Sequence, residues 1–170
     1  MPKPSFQKRA GAHTVARPRQ PAIWTVGHST RGSDEFLAIL DAYDIEFIAA
    51  VRRFPGSRRL PHFAAAALAA RALEHGIAYP WFPELNGRRR PDPHSPNTTW
   101  RNLSFRAYAD HVASEEFAGG LFELLMLAQG LRIVIMCAAV LWWRCHRRLI
   151  ADVLTSLEVP VIDIRDTAKA

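Results

Sequence analysis

Long apolar runs are missing from this 170-residue chain, and with them any segment suited to crossing a bilayer. A spanning helix needs roughly 20 consecutive apolar residues, and no stretch approaches that length. Cysteine is nearly absent as well. Two thiols, Cys137 and Cys145, cannot staple a small fold, which excludes the disulfide-rich secreted class. Reduced cysteines in the cytoplasm are therefore the expectation, and no apolar stretch follows the basic N-terminal residues to suggest a secretory leader. Acidic residues are lacking from one region in particular. Residues 1–20 contain Lys3, Lys8, Arg9, Arg17 and Arg19 without one Asp or Glu, and so carry five of the net +6 charges. The rest of the chain is close to neutral, so any argument for a polyanionic partner must rest on local clustering and not on net charge.

What is present divides the chain into three parts. Residues 1–21, rich in proline and basic residues and without periodicity, are expected to form a disordered basic arm. Residues 22–166 have the size and apolar content of one domain with its own core, and residues 167–170 form a tail. Within the body, strand-like and helix-like segments alternate. Ile23–Val26, Glu46–Val51, Ile77–Phe82, Arg132–Cys137 and Val159–Ile164 are β-rich. Pro160 marks the last as an edge strand, whereas the continuous apolar run of Arg132–Cys137 suits a central one. Helices are expected after Ser33, over Ala64–His75 with Gly76 as its stop, over Ser104–Val112, over Ser114–Ala128 and over Arg144–Leu157. This order predicts an α/β fold: a compact three-layer domain with a mainly parallel sheet of about five strands and helices on both faces. Ligands of such sheets bind beyond the carboxyl ends of the strands, which would gather Gly27–Thr30, Arg52–Arg59 and Ala139–Arg148.

Cys137–Arg148, read CAAVLWWRCHRR, is the most informative stretch. His146, Ile150, Val153, Leu154 and Leu157 form one helical stripe with His146 at its top. Arg144, Arg147 and Arg148 crowd the start of that helix, where cations oppose the macrodipole. A bound anion, phosphate above all, would resolve the conflict; outward snorkelling or pairing with Asp152 is the alternative. Trp142 and Trp143 offer either base stacking or core packing. The turn Gly27-His28-Ser29-Thr30 could cradle phosphate through Ser29, with His28 either a general acid–base or a hydrogen-bonded structural residue. Arg52, Arg53, Arg58 and Arg59 flank a Pro-Gly turn that includes Ser57, and Arg88 and Arg89 precede Trp100 and Arg101. Such cation–aromatic clusters suit backbone phosphates. The spacing of Cys137 from Cys145-His146 matches no zinc pattern, so no metal and no other cofactor is expected.

The segments G-H-S at 27–29, V-R-x-x-P-x-S-R at 51–58, E-L-x-G-R-R at 84–89, and M-C-A at 136–138 followed by W-W-R-C-H-R-R-L-I-A-D at 142–152 resemble the domain of unknown function 488 family. The resemblance spans about Ile23 to Ile164 and implies a compact α/β domain. It also exposes two departures. Where members similar to this chain read D-V-R and C-A-E, the present sequence has Ala50-Val51-Arg52 and Cys137-Ala138-Ala139. Ala50 and Ala139 thus stand where the resemblance implies catalytic carboxylates. Paired acids in a basic, aromatic-lined cleft suit hydrolysis of an N-glycosidic bond. The leading expectation is accordingly a DNA glycosylase-type enzyme acting on an extruded base stacked on Trp142, Trp143 or Trp100, here able to bind but inactive. Nucleic acid, specifically DNA, is the expected partner, with no membrane partner and the oligomeric state left open. A non-catalytic nucleic-acid-binding domain, a metal-dependent nuclease or phosphodiesterase, and a small nucleotide-processing enzyme are the competing readings.

Overall fold

A computed structural model of the protein describes residues 21–54, 56 and 58–168. The basic arm, apart from Pro21, and Ser57 lie outside the described residues.

Four strands form one parallel sheet: β1 (Ile23–Gly27), β2 (Phe47–Ala50), β3 (Ile133–Cys137) and β4 (Val161–Ile164), in the order β2-β3-β1-β4. β-branched and apolar residues run almost unbroken through β1 and β3 because both faces of these two inner strands are covered. Alternate side chains feed two separate cores. On one face Trp24, Val26, Ile48, Val134 and Met136 meet α1 (Ser33–Ala42) and α2 (Ala65–Glu74). On the other, Ile23, Phe47, Ala49, Ile133 and Ile135 meet α3 (Leu103–Val112), α4 (Glu115–Ala128) and α5 (Arg147–Ser156). The three layers and parallel sheet are those the alternation predicts.

Among the described residues the sheet has four strands and not about five, and Pro80 explains the difference. Segment Ile77–Phe82 lies beside β2 but makes only two isolated bridges, Ala78 with Phe47 and Trp81 with Ala50. Ala78 N–H donates to Glu46 O and Phe82 N–H to Ala50 O, while Pro80 between them has no N–H to offer.

Several helix ends follow local chemistry. Ser114 caps α4 by accepting from Phe117 N–H, and Asn102 caps α3. Gly76, at φ +71°, closes α2 with Gly76 N–H on Leu73 O and Ile77 N–H on Ala72 O, a Schellman end. Ser33, in contrast, is the first helical residue of α1 and Gly32 the cap. The last helix also starts later than its periodicity suggests. Trp142–Arg144 forms a separate 3-10 turn, Cys145 is extended, and α5 begins after His146.

Candidate functional site

β1 and β3 are neighbours whose following helices, α1 and α5, depart to opposite faces of the sheet. This is the switch point at which doubly covered sheets place their ligands. Here the crevice between these two strands is closed by backbone. His28 N–H donates to Cys137 O at 3.0 Å and Ser29 N–H to Ala138 O at 2.9 Å. Gly27 makes this approach possible, since a Cβ there would lie 1.9 Å from Ala139 O. The cleft opens instead above β2 and β3.

It measures about 570 Å³. Its floor is the end of β3 (Cys137, Ala138, Ala139) with Arg144, Cys145 and His146, and its walls are the loop after β2, Gly87-Arg88, and the start of α3. Arg52, Arg53, Arg88 and Arg144 line it, and among the described residues no Asp or Glu does. Phe54 stands at the rim, 63% exposed, with the guanidinium groups of Arg53 and Arg88 each 5.8 Å from its ring centre. Phe105 is the second aromatic of the lining, stacked outwards on Trp100.

The adjacent arginines of the last motif have separate fates. Arg147 is 1% exposed and its guanidinium is bonded within the chain: Nη1 donates to Thr25 Oγ1 at 2.7 Å, Nη2 to Ala139 O and Val140 O, and Nε to Cys145 Sγ at 3.3 Å. Arg148 lies over Trp100 and faces Asp152 at 4.0 Å. Only Arg144 faces the cleft. Cys137 and Cys145 share a hydrogen bond, and the pKa of Cys145 falls to about 6, first through that bond and then through the Arg147 charge and N–H groups, against the opposing effect of burial. The same bond, with burial, pushes the Cys137 thiol well above its ordinary value.

His146 Nε2 donates to Val51 O at 3.1 Å, and its ring packs so closely on Gly87 that a Cβ there would be 2.5 Å from Nδ1. Burial lowers its pKa to about 4, so the ring is neutral. One ring nitrogen of His146 and the two cysteine sulfurs lie within 4.8 Å of one another. The sequence spacing gave no sign of this grouping, because it depends on a strand end meeting a helix start.

Several other expected site residues do not reach the cleft. His28 is 3% exposed, stacked on Phe63 at 4.1 Å, with Nδ1 on Ser29 O and Nε2 accepting from Arg52 Nη1 at 3.2 Å. Desolvation lowers its pKa to about 4, and the ring is held between Phe63 and the Arg52 guanidinium. The His28 and Ser29 N–H groups are engaged by Cys137 O and Ala138 O, so neither is directed at the cleft. Arg89 is tied to Asn86 O, Pro83 O, Glu84 O and the Glu116 carboxylate, and Arg58 is exposed outside the lining. Trp142 packs edge-on against Trp143 on the β4 side of the domain, where Arg165 covers Trp143, so neither is a cleft aromatic. Trp100 stands behind Phe105. Ala50, 1% exposed, points into the α1/α2 core, whereas Ala139 lines the cleft. The two alanines thus face different surroundings. Arg52 both lines the cleft and braces it, through Phe63 O, Tyr79 Oη and His28, leaving its buried Nε without a partner.

Arg53, named with the basic loop, does line the cleft, whereas Phe54, Phe105, Asn102 and Ser104 are cleft residues that were not singled out from sequence. For Phe54 the signal was available: an aromatic between Arg53 and a Pro-Gly turn has little chance of burial.

No helix among the described residues is long and apolar enough to cross a membrane. No curated protein and no solved structure shows significant similarity to the chain. A family model, Domain of unknown function DUF488, matches residues 33–154, which include the loop after β2, the Gly87 turn and the whole Cys137–Asp152 motif. The protein belongs to the DUF488 family.

Proposed function

We propose that the cleft binds nucleic acid, DNA in particular, by taking in one extruded nucleotide, and that this chain binds without cleaving. The observation that carries the proposal is a cleft lined by four arginines and no acid. Its volume lies within the roughly 300–1,000 Å³ typical of sites for small organic groups such as one nucleotide. Arg53, Arg88 and Arg144 suit the flanking phosphates. Exposed Phe54 is placed to fill the gap that an extruded base leaves in the stack, and Phe105 to pack against the base inside. The Asn102 amide and the Ser104 hydroxyl supply hydrogen bonds to a base edge.

A glycosidic hydrolase needs a carboxylate beside the scissile bond. Ala139 stands at the cleft floor where the family resemblance implies one, so this chain retains the binding half of a glycosylase-type site. Its two free thiols agree with action in the reducing cytoplasm. The test uses labelled duplexes carrying mismatched or alkylated bases, with the natural chain and Ala139→Glu. The natural chain should bind these duplexes and leave them intact, while Ala139→Glu should release a base and leave an alkali-labile abasic site. Absence of binding by the natural chain would remove the whole proposal. Binding without base release in Ala139→Glu would remove its glycosylase part. The cleft's size also favours a second reading, a site for a free nucleotide, which predicts that mononucleotides compete with DNA at equal affinity.

A further inference from the structure

The cluster at the cleft floor has a chemistry that phosphate or base binding does not use. Cys137 closes β3, Cys145 and His146 precede α5, and all three line the cleft. Their ligand atoms lie within 4.8 Å of one another. Two sulfurs and an imidazole nitrogen bound to zinc at about 2.3 and 2.0 Å stand under 4 Å apart around a tetrahedron, so small rotations would bring this trio onto one ion. We propose that Cys137, Cys145 and His146 form a Cys2His site for one zinc ion, with its fourth position open to the cleft.

Three further features suit this assignment. His146 has the outer support that metal-bound imidazoles need: Nε2–H donates to Val51 O, which fixes the tautomer and leaves the Nδ1 lone pair as the ligand. Arg147 donates to Cys145 Sγ at 3.3 Å, the kind of N–H to sulfur bond that steadies a ligating thiolate. Two thiolates also match a soft dication in charge and in ligand type better than any oxygen-loving ion. Three protein ligands with the remaining side facing a 570 Å³ cleft is the arrangement of a site that keeps a position for water or a substrate oxygen.

The test is direct and needs no nucleic acid, so it is read separately from the binding proposal. The full chain, reduced and stripped with a chelator, is titrated with Co2+ and followed by absorbance. One equivalent should give thiolate-to-cobalt charge-transfer bands and tetrahedral d–d bands, and Zn2+ should bleach both. Cys137→Ser and Cys145→Ser should each abolish the four-coordinate spectrum, and His146→Gln should weaken uptake by at least about tenfold. Azide should shift the d–d bands by entering the open position. Absence of charge-transfer bands in the reduced natural chain at stoichiometric Co2+ would overturn the site, whether the thiols prove inert or readily pair as a disulfide. Bands that azide leaves unmoved would overturn the open position. Because the decisive titration is on the natural chain, a variant that fails to fold does not blur the result.

Discussion

The Arg147 guanidinium reaches from the first turn of α5 to the Thr25 hydroxyl in the middle of β1, 2.7 Å away and fully enclosed. This bond, with those to Ala139 O and Val140 O, ties the helix and the loop before it to the sheet. Arg147→Met keeps much of the volume but strands those acceptors, and each unsatisfied buried group costs about 1–3 kcal/mol. Urea unfolding of Arg147→Met should show a midpoint lowered by the equivalent of roughly 3 kcal/mol or more, from two or three such losses. Arg144→Ala, three residues earlier and exposed, should stay within about 0.5 kcal/mol of the natural chain. Equal stabilities for the two variants would contradict the division of roles.

That division marks the limit of what the sequence made legible. Layer order, strand direction and most helix bounds follow from periodicity, because each inner strand is covered on both faces and each helix on one. Pro80 was visible too, and its missing N–H accounts for the strand that does not form. Arg147 could not be placed this way, since arginines at a helix start normally face solvent and its partners are backbone oxygens, a hydroxyl and a sulfur rather than an acid. The Cys137, Cys145 and His146 grouping was hidden for a related reason. Residues 138–144 fold back as a loop and a 3-10 turn, a path that residue spacing does not encode. Loops after β2 and β3 do meet, as carboxyl-end placement requires, but Gly27–Thr30 is sealed off by the backbone bonds that Gly27 permits.

His28 gives the fold a pH dependence. In the unfolded chain it takes up a proton near 6.5, and in the fold, where burial disfavours the charge, only near 4. Between those values the unfolded state holds more protons, so the contribution is complete above pH 6.5 and is lost as pH falls towards 4. At about 1.36 kcal/mol per pKa unit this amounts to roughly 3 kcal/mol. His146 acts in the same direction. Urea midpoints should decline from pH 7 to pH 4.5, and His28→Gln should decline less steeply. A flat profile for the natural chain would exclude the buried neutral imidazole.

Cys145 should be the more reactive thiol. In chelator-treated protein, alkylation by iodoacetamide should rise with pH around a midpoint near 6, set by the bond from Cys137 and the charge of Arg147. Peptide mapping should place the first label on Cys145, and Cys145→Ala should lose that phase. A single phase near the ordinary thiol range, or first labelling at Cys137, would contradict the pairing described.

Gly27→Ala tests the closure of the β1–β3 crevice. The added Cβ would meet Ala139 O at 1.9 Å and Val140 Cα at 2.7 Å, both backbone atoms. Overpacking of this kind costs about 1–3 kcal/mol or more, and here it also displaces the cleft floor. The variant should melt earlier and bind Co2+ more weakly, whereas Gly119→Ala, on the exposed side of α4 with open space around its Cβ, should do neither. Natural behaviour in Gly27→Ala would show that the crevice is not held shut as described.

The central claim is that the cleft arginines hold a polyanion, and the salt dependence of DNA binding tests it most directly. Fluorescence anisotropy of the full chain on a mismatched duplex, taken across a salt series, gives the slope of log K against log salt, about 0.9 per phosphate contact. The N-terminal basic residues are common to every variant and cancel in the comparison. Arg88→Ala and Arg144→Ala should each flatten the slope by about one and weaken binding, and the double variant by about two. A slope and affinity unchanged in the double variant would contradict the claim.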